Sequence, residues 1–240
     1  NVASAIRLLD PALPQIEDRT ERARGYFLLG QLLERQGDPV AAEKAYDRVA
    51  RSKVEYELVY QALKRQAVTL RQNGRYRESA DLFRKLIRDD KNLDARIELG
   101  FERNQTLYEA GDSDAALEGF LSLLRERDID LDRVAKARTY KAIGDLYRLQ
   151  AGDFALAAAY YDSAAAIRLT ENERPVGFDA EELAASFGQY AGLRAEIHQM
   201  DSLLALARMD VEDRDSVVNA LRAARYEILK EELERQRQEQ

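Results

Sequence analysis

The chain has no cysteine, which excludes disulfides, thiol catalysis and cysteine-held metals while leaving the compartment open. It has one histidine, His198, and a lone histidine builds neither a catalytic triad nor a zinc site. Neither G-x-G-x-x-G nor GK[ST] occurs, so no glycine-rich loop is available to cradle a phosphate chain. No run of 18 apolar residues exists, so no segment of this sequence reads as membrane-spanning. A basic excess is also missing. The 37 Lys and Arg face 44 Asp and Glu, and the net charge of −7 argues against general nucleic-acid binding. Asp128, Asp130 and Asp132 give D-x-D-x-D, but a calcium loop needs Gly at its sixth place and Glu at its twelfth. Those places hold Arg133 and Thr139, so the stretch reads as a solvated linker with a helix cap. These absences leave no expected catalytic residue, cofactor or metal.

What is present is a repeat. Residues 23–50 read ARGYFLLGQLLERQGDPVAAEKAYDRVA. Tyr26, Leu29, Gly30 and Leu33 share one helical stripe, and Gly37 and Asp38 break it. Asp38 can cap a second helix, with Pro39 at its first position, where no amide is needed. Ala42, Tyr46 and Val49 line that helix. Gly30 and Ala42 mark where two antiparallel helices can cross closely, and Tyr26 and Tyr46 fill the wider gaps. The motif recurs at turn glycines Gly37, Gly74, Gly111 and Gly152, spaced 37, 37 and 41. Five places after each stands a small residue: Ala42, Ser79, Ala116 and Ala157. Nine places after stands an aromatic: Tyr46, Phe83, Phe120 and Tyr161. This order of small and large residues resembles the tetratricopeptide repeat (TPR), with a unit slightly longer than usual. The resemblance implies an all-α solenoid, a right-handed superhelix of antiparallel helix pairs.

The chain divides accordingly. Residues 1–20 read as the second helix of an upstream unit, ended by Pro11 and Pro14, and a linker. Residues 21–172 hold four units at about 21–52, 60–90, 97–127 and 137–168. Unit three is uneven, because Arg103 and Asn104 stand where Leu and a small residue are expected. Either its first helix is rotated to use Leu99, Gly100 and Leu107, or the polar pair marks a binding or hinge position. One residue more than expected lies in the turn before Gly152. Pro175 and Gly177 then break the array. Residues 173–240 read as capping helices at about 180–199, 201–209 and 213–237, since a solenoid end needs a helix that is polar outside. The chain opens on Asn1 inside a helical pattern, so we expect a fragment whose natural N-terminus is missing and upstream of which a signal peptide or lipid anchor could stand.

In TPR arrays the first helix of each pair lines the concave face. The register puts Arg24, Phe27, Gln31, Glu34 and Arg35 there in unit one. Unit two supplies Lys64, Arg65, Val68, Arg71 and Gln72; unit three, Phe101, Gln105, Tyr108 and Glu109; unit four, Lys141, Asp145 and Arg148. From these the candidate partner-binding set is Phe27, Gln31, Arg35, Lys64, Arg65, Arg71, Phe101, Gln105, Tyr108, Lys141 and Arg148. The face is expected to be basic around unit two, with exposed Phe27, Phe101 and Tyr108 as anchors of the kind that dominate interfaces. The competing expectation is an ordinary solvated face whose arginines pair with Glu34 and Glu109. The carboxylate clamp that holds chaperone tails in some TPR domains is not expected, because its Lys and Asn positions hold Phe27 and Gln31.

The tail narrows the reading. YYDSAAAIRL (160–169) closes unit four, followed by MDSLLALARM (200–209) and EDRDSVV. Together with YFLLGQLLERQGD (26–38), these resemble the TPR lipoproteins of the type IX secretion and gliding-motility machinery, the SprE/PorW family. The resemblance implies a non-catalytic scaffold in the periplasm, associated with the outer membrane and partnered by other proteins of that machinery. The other reading of the residues is a soluble, cytoplasmic TPR adaptor or regulator that takes a partner peptide in its groove.

Overall fold

The computed structural model describes residues 1–125 and 132–238, without the side chains of 150, 151, 233 and 235–238. The described elements are helices: α1 (Val2–Ala12), α2 (Arg19–Gln36), α3 (Pro39–Ala50), α4 (Tyr56–Gln72), α5 (Tyr76–Arg88), α6 (Arg96–Glu109), α7 (Ser113–Arg125), α8 (Arg133–Leu146), α9 (Phe154–Ala165), α10 (Ala180–Arg208) and α11 (Val211–Gln238). From α1 to α9 each helix packs on the next in sequence, which makes the array α2–α3, α4–α5, α6–α7 and α8–α9. Two compact units result, residues 1–187 and residues 188–240.

The turns follow from local chemistry. Gly37, Gly74, Gly111 and Gly152 all have positive φ, between 63° and 84°, where a side chain would be strained. The Asp38 carboxylate accepts from the Ala41 amide at 2.9 Å, and Pro39 opens α3. Asp112 and Asp153 cap α7 and α9 the same way. The crossings follow from size. Ala42, Ser79, Ala116 and Ala157 are fully buried, and so are the aromatics Tyr46, Phe83 and Tyr161, with Phe120 nearly so. A Cβ on Gly30 would lie 2.5 Å from the Tyr46 ring, and one on Gly144 would lie 2.7 Å from Tyr161. Each glycine is therefore the socket for the tyrosine of its partner helix.

Unit three reverses that socket. Asn104, at the place of Gly30, is 3% exposed, so the helix is not rotated to turn it outward. Room comes from the other helix: a Cβ on Gly119 of α7 would sit 2.2 Å from Asn104 Oδ1. Leu99 and Gly100 also pack as expected, Leu99 fully buried and Gly100 against Leu123. The additional residue before Gly152 is taken up by a π turn, Tyr147–Ala151, which keeps Gly144 and Tyr161 in register.

Two boundaries differ from the sequence reading. Pro11 does not end α1, which runs through it to Ala12 and into a 3-10 turn holding Pro14. Arg7, whose carbonyl Pro11 leaves without a helical donor, is exposed and can bond water. No break occurs near residue 200, because α10 is one helix of 29 residues with neither Gly nor Pro between Gly192 and Arg208. In the first unit, α10 begins with Ala184 buried and Phe187 packed beside Tyr161. In the second unit, Tyr190, Leu193, Ile197, Met200 and Leu204 are exposed along one stripe of α10. Asp128 and Asp130 lie outside the described residues, while Asp132 caps α8 through the Ala135 amide.

Candidate partner-binding face

Residues at equal distances before the turn glycines form a ladder on α2, α4 and α6. Three places before the glycine stand Glu34, Arg71 and Tyr108; nine places before stand Leu28, Arg65 and Glu102. The first set of one unit meets the second set of the next. Glu34 pairs with Arg65 at 2.8 Å, and Arg71 pairs with Glu102 at 2.9 Å. The sign order inverts between these two rungs, so neighbouring units are stitched without a net charge. Glu102 also takes Arg138 at 3.4 Å, and Lys64 takes Glu98 at 3.0 Å.

This arrangement corrects the expected basic patch. Lys64, Arg65 and Arg71 are all engaged by carboxylates, and Arg71 also approaches Glu109 at 3.6 Å. The expectation of pairing with Glu34 and Glu109 fits better, with Glu98 and Glu102 as further partners. Phe101 is not an exposed anchor. It is buried against Phe120, with ring centroids 5.3 Å apart, and the Arg138 guanidinium lies 4.1 Å above it. Phe27 is half-buried and meets Tyr46 edge-on. Tyr108 is half-buried too, and burial pushes its hydroxyl pKa up. Burial would lower Lys141, but hydrogen bonds to Asp145 and Asp179 outweigh it and hold its pKa above the usual lysine value. Arg148 lies against Asp145 at 3.6 Å.

The structure gathers the remaining candidates into two clefts. Gln31 and Arg35 line one of about 540 Å³ with Leu28, Leu32 and Arg65. Leu28 is 48% exposed and Arg35 has no ion pair among the described residues. The second, of about 360 Å³, has Arg71, Phe101, Gln105 and Lys141 on its floor. Its lip is the chain's own segment Pro175, Val176, Gly177 and Phe178. Sequence reasoning missed Leu28, Glu102 and this lip. Carrying Arg65's place to the other units would have found the first two. The lip had no periodic signal, because it lies outside the repeat.

The arrangement offers ion pairs, two shallow clefts and exposed apolar edges, which suits holding a protein segment. A tetratricopeptide repeat family model matches residues 1–53 and 27–95. No curated protein matches the sequence. Among solved structures the chain is similar to MamA, at 15% identity and TM-score 0.51, over 69% of this chain and 88% of that one. It is also similar to BtubC (BKLC) from P. vanneervenii, at 18% identity and TM-score 0.52, over 82% of this chain and 91% of that one. The repeat match, these neighbours and the helix-pair array give one conclusion: the fold is an all-α tetratricopeptide-repeat solenoid.

Proposed function

We propose that the protein is a non-catalytic scaffold that holds partner protein segments along its inner face, within the type IX secretion and gliding-motility machinery at the periplasmic side of the outer membrane. The observation that carries the scaffold reading is the pair of inner clefts on either side of a charge-neutral centre. A neutral, stitched centre favours a partner read by shape and apolar contact over one steered by charge. Leu28 and Leu32 are the anchors in the first cleft, and Val176 and Phe178 edge the second. The secretion-machinery reading rests on the tail sequence MDSLLALARM, whose Leu203 and Leu204 are exposed on α10 and therefore available to a partner.

The test is photo-crosslinking in native cells with the probe at Gln31 and at Gln105. Machinery components captured at either position support the proposal. Capture of cytoplasmic proteins alone, with no leader or lipid-attachment cysteine encoded upstream, would replace it with a soluble adaptor. Capture only from outward-facing control positions would overturn the inner-face reading itself.

A further inference from the structure

We propose that unit one carries a second binding site, a pocket for a phosphate monoester group, at the edge formed by the start of α2 and the end of α3. The pocket holds about 300 Å³ and is lined by Arg19, Arg22, Arg48, Arg51 and Lys53 around Tyr26. Five bases converge there in a chain whose net charge is −7. Arg51 is matched by Asp47 at 3.0 Å. Arg19 and Lys53 pair with no acid among the described residues.

The way the other two are held is the stronger argument. Arg22 Nη1 donates to the Ile16 carbonyl at 2.6 Å. Arg48 Nη1 donates to the Tyr26 hydroxyl at 2.7 Å, with its guanidinium 4.9 Å from that ring's centroid. Both partners are neutral. They orient the guanidinium forks without cancelling their charge. On the inner face the arginines are oriented by carboxylates, which cancel it. Clustered like charges repel, so an oriented and uncompensated set is stable chiefly when an anion joins it. Planar forks suit tetrahedral oxyanions, which accept several charge-assisted hydrogen bonds at once. The small volume selects a compact group with high charge over an extended acidic peptide. The phosphate could be carried by a soluble ester or by a lipid headgroup, and the chemistry of capture is the same.

The experiment titrates the whole chain at low salt with glycerol 3-phosphate, and separately with phosphatidylcholine vesicles with and without phosphatidic acid. Saturable amide shifts centred on Tyr26, Arg48 and Lys53 are expected with the ester. Arg19→Ala with Lys53→Ala should weaken binding about tenfold or more, as the loss of one or two charge-assisted hydrogen bonds requires. Arg77→Ala with Lys85→Ala makes the same charge change on exposed sites of α5 and should leave binding unchanged. All four substitutions are at exposed positions, and melts equal to the parent confirm the fold. Vesicle binding without ester binding, lost only in the pocket variant, assigns the phosphate to a headgroup and supports the site. Equal losses in both double variants, or no saturable binding to either probe, overturn it.

Discussion

A methyl group on Gly119 has nowhere to go, because Asn104 Oδ1 would be 2.2 Å away. Overpacking of this kind costs about 1–3 kcal/mol, while replacing glycine by alanine inside a helix returns about 1 kcal/mol. Gly119→Ala should therefore destabilise the chain by about 1 kcal/mol net, on those two magnitudes. Asn104→Ala combined with Gly119→Ala should melt at or above the parent, since the clash is gone and the helix gain remains. A double variant no better than Gly119→Ala alone would show that the pair is not the socket described. The buried tyrosines set an alkaline limit. Burial, then the bond to Glu34, raises the Tyr46 pKa, and burial with Asp145 does the same for Tyr161. Tyr60 is pushed up to about 12 by burial and by Glu98. A raised tyrosine pKa means the folded state keeps protons the unfolded state has lost. The contribution is complete below the ordinary value of 10.0 and is lost as pH rises through the folded values. Urea unfolding should thus show level stability up to about pH 9 and a decline above about pH 10. Tyr46→Phe should flatten that decline; an unchanged slope would remove Tyr46 from the account.

At the scale of elements, coupling between units runs through the ladder. Glu102 holds both Arg71 and Arg138, and the Glu102 and Arg71 side chains are only 18% and 13% exposed. Glu102→Gln should cost about 1–2 kcal/mol, between the value of an exposed pair and that of a fully buried one. The same change leaves Arg138 without an acid among the described residues and Arg71 with only Glu109 beside the second cleft. It should raise the on-rate of an acidic test peptide at low salt, an effect that added salt abolishes. Loss of stability without any change in peptide association would make Glu102 a purely structural stitch. This ladder also shows what the sequence could tell. The helix pairs, turn glycines and small crossings were legible because each obeys a local rule of size or φ. Phe101 was misplaced because its burial depends on Arg138, 37 residues away, lying over it. The charge of unit two was misjudged because its acids stand on the neighbouring units, at Glu34, Glu98 and Glu102. Periodicity assigns a residue to a face, while its partners are set by the neighbouring repeat.

For the whole molecule, stability in such an array is a sum over adjacent units. α11 has no buried residue among those described, and its Leu221, Tyr226, Ile228 and Leu229 are exposed. Truncation after Met209 should therefore leave the thermal melt of the array within about 2 °C of the parent, a shift worth about 1 kcal/mol or less for a chain of this size. A larger fall would show that α11 shields the repeats in solution. Truncation after Ala166 is different, because it removes Ala184 and Phe187 from the Tyr161 cluster. Losing the buried Ala184 and the half-buried Phe187 ring there should cost about 2–3 kcal/mol and open the array from that end.

The reversed socket of unit three bears on how such a chain changes over generations. In units one and four the glycine is on the leading helix and the aromatic on the trailing one. A recombination joining the leading helix of unit one to the trailing helix of unit three would keep an aromatic, Phe120, against Gly30 but leave Gly119 without the Asn104 side chain that fills its space. The reciprocal product would drive Asn104 into the Cβ of Ala45, which stands where unit three has Gly119. Exchange within a pair thus yields misfits, while duplication or loss of whole pairs keeps every socket with its own plug. On this packing α6 and α7 are matched to each other and exchange cleanly only as a pair.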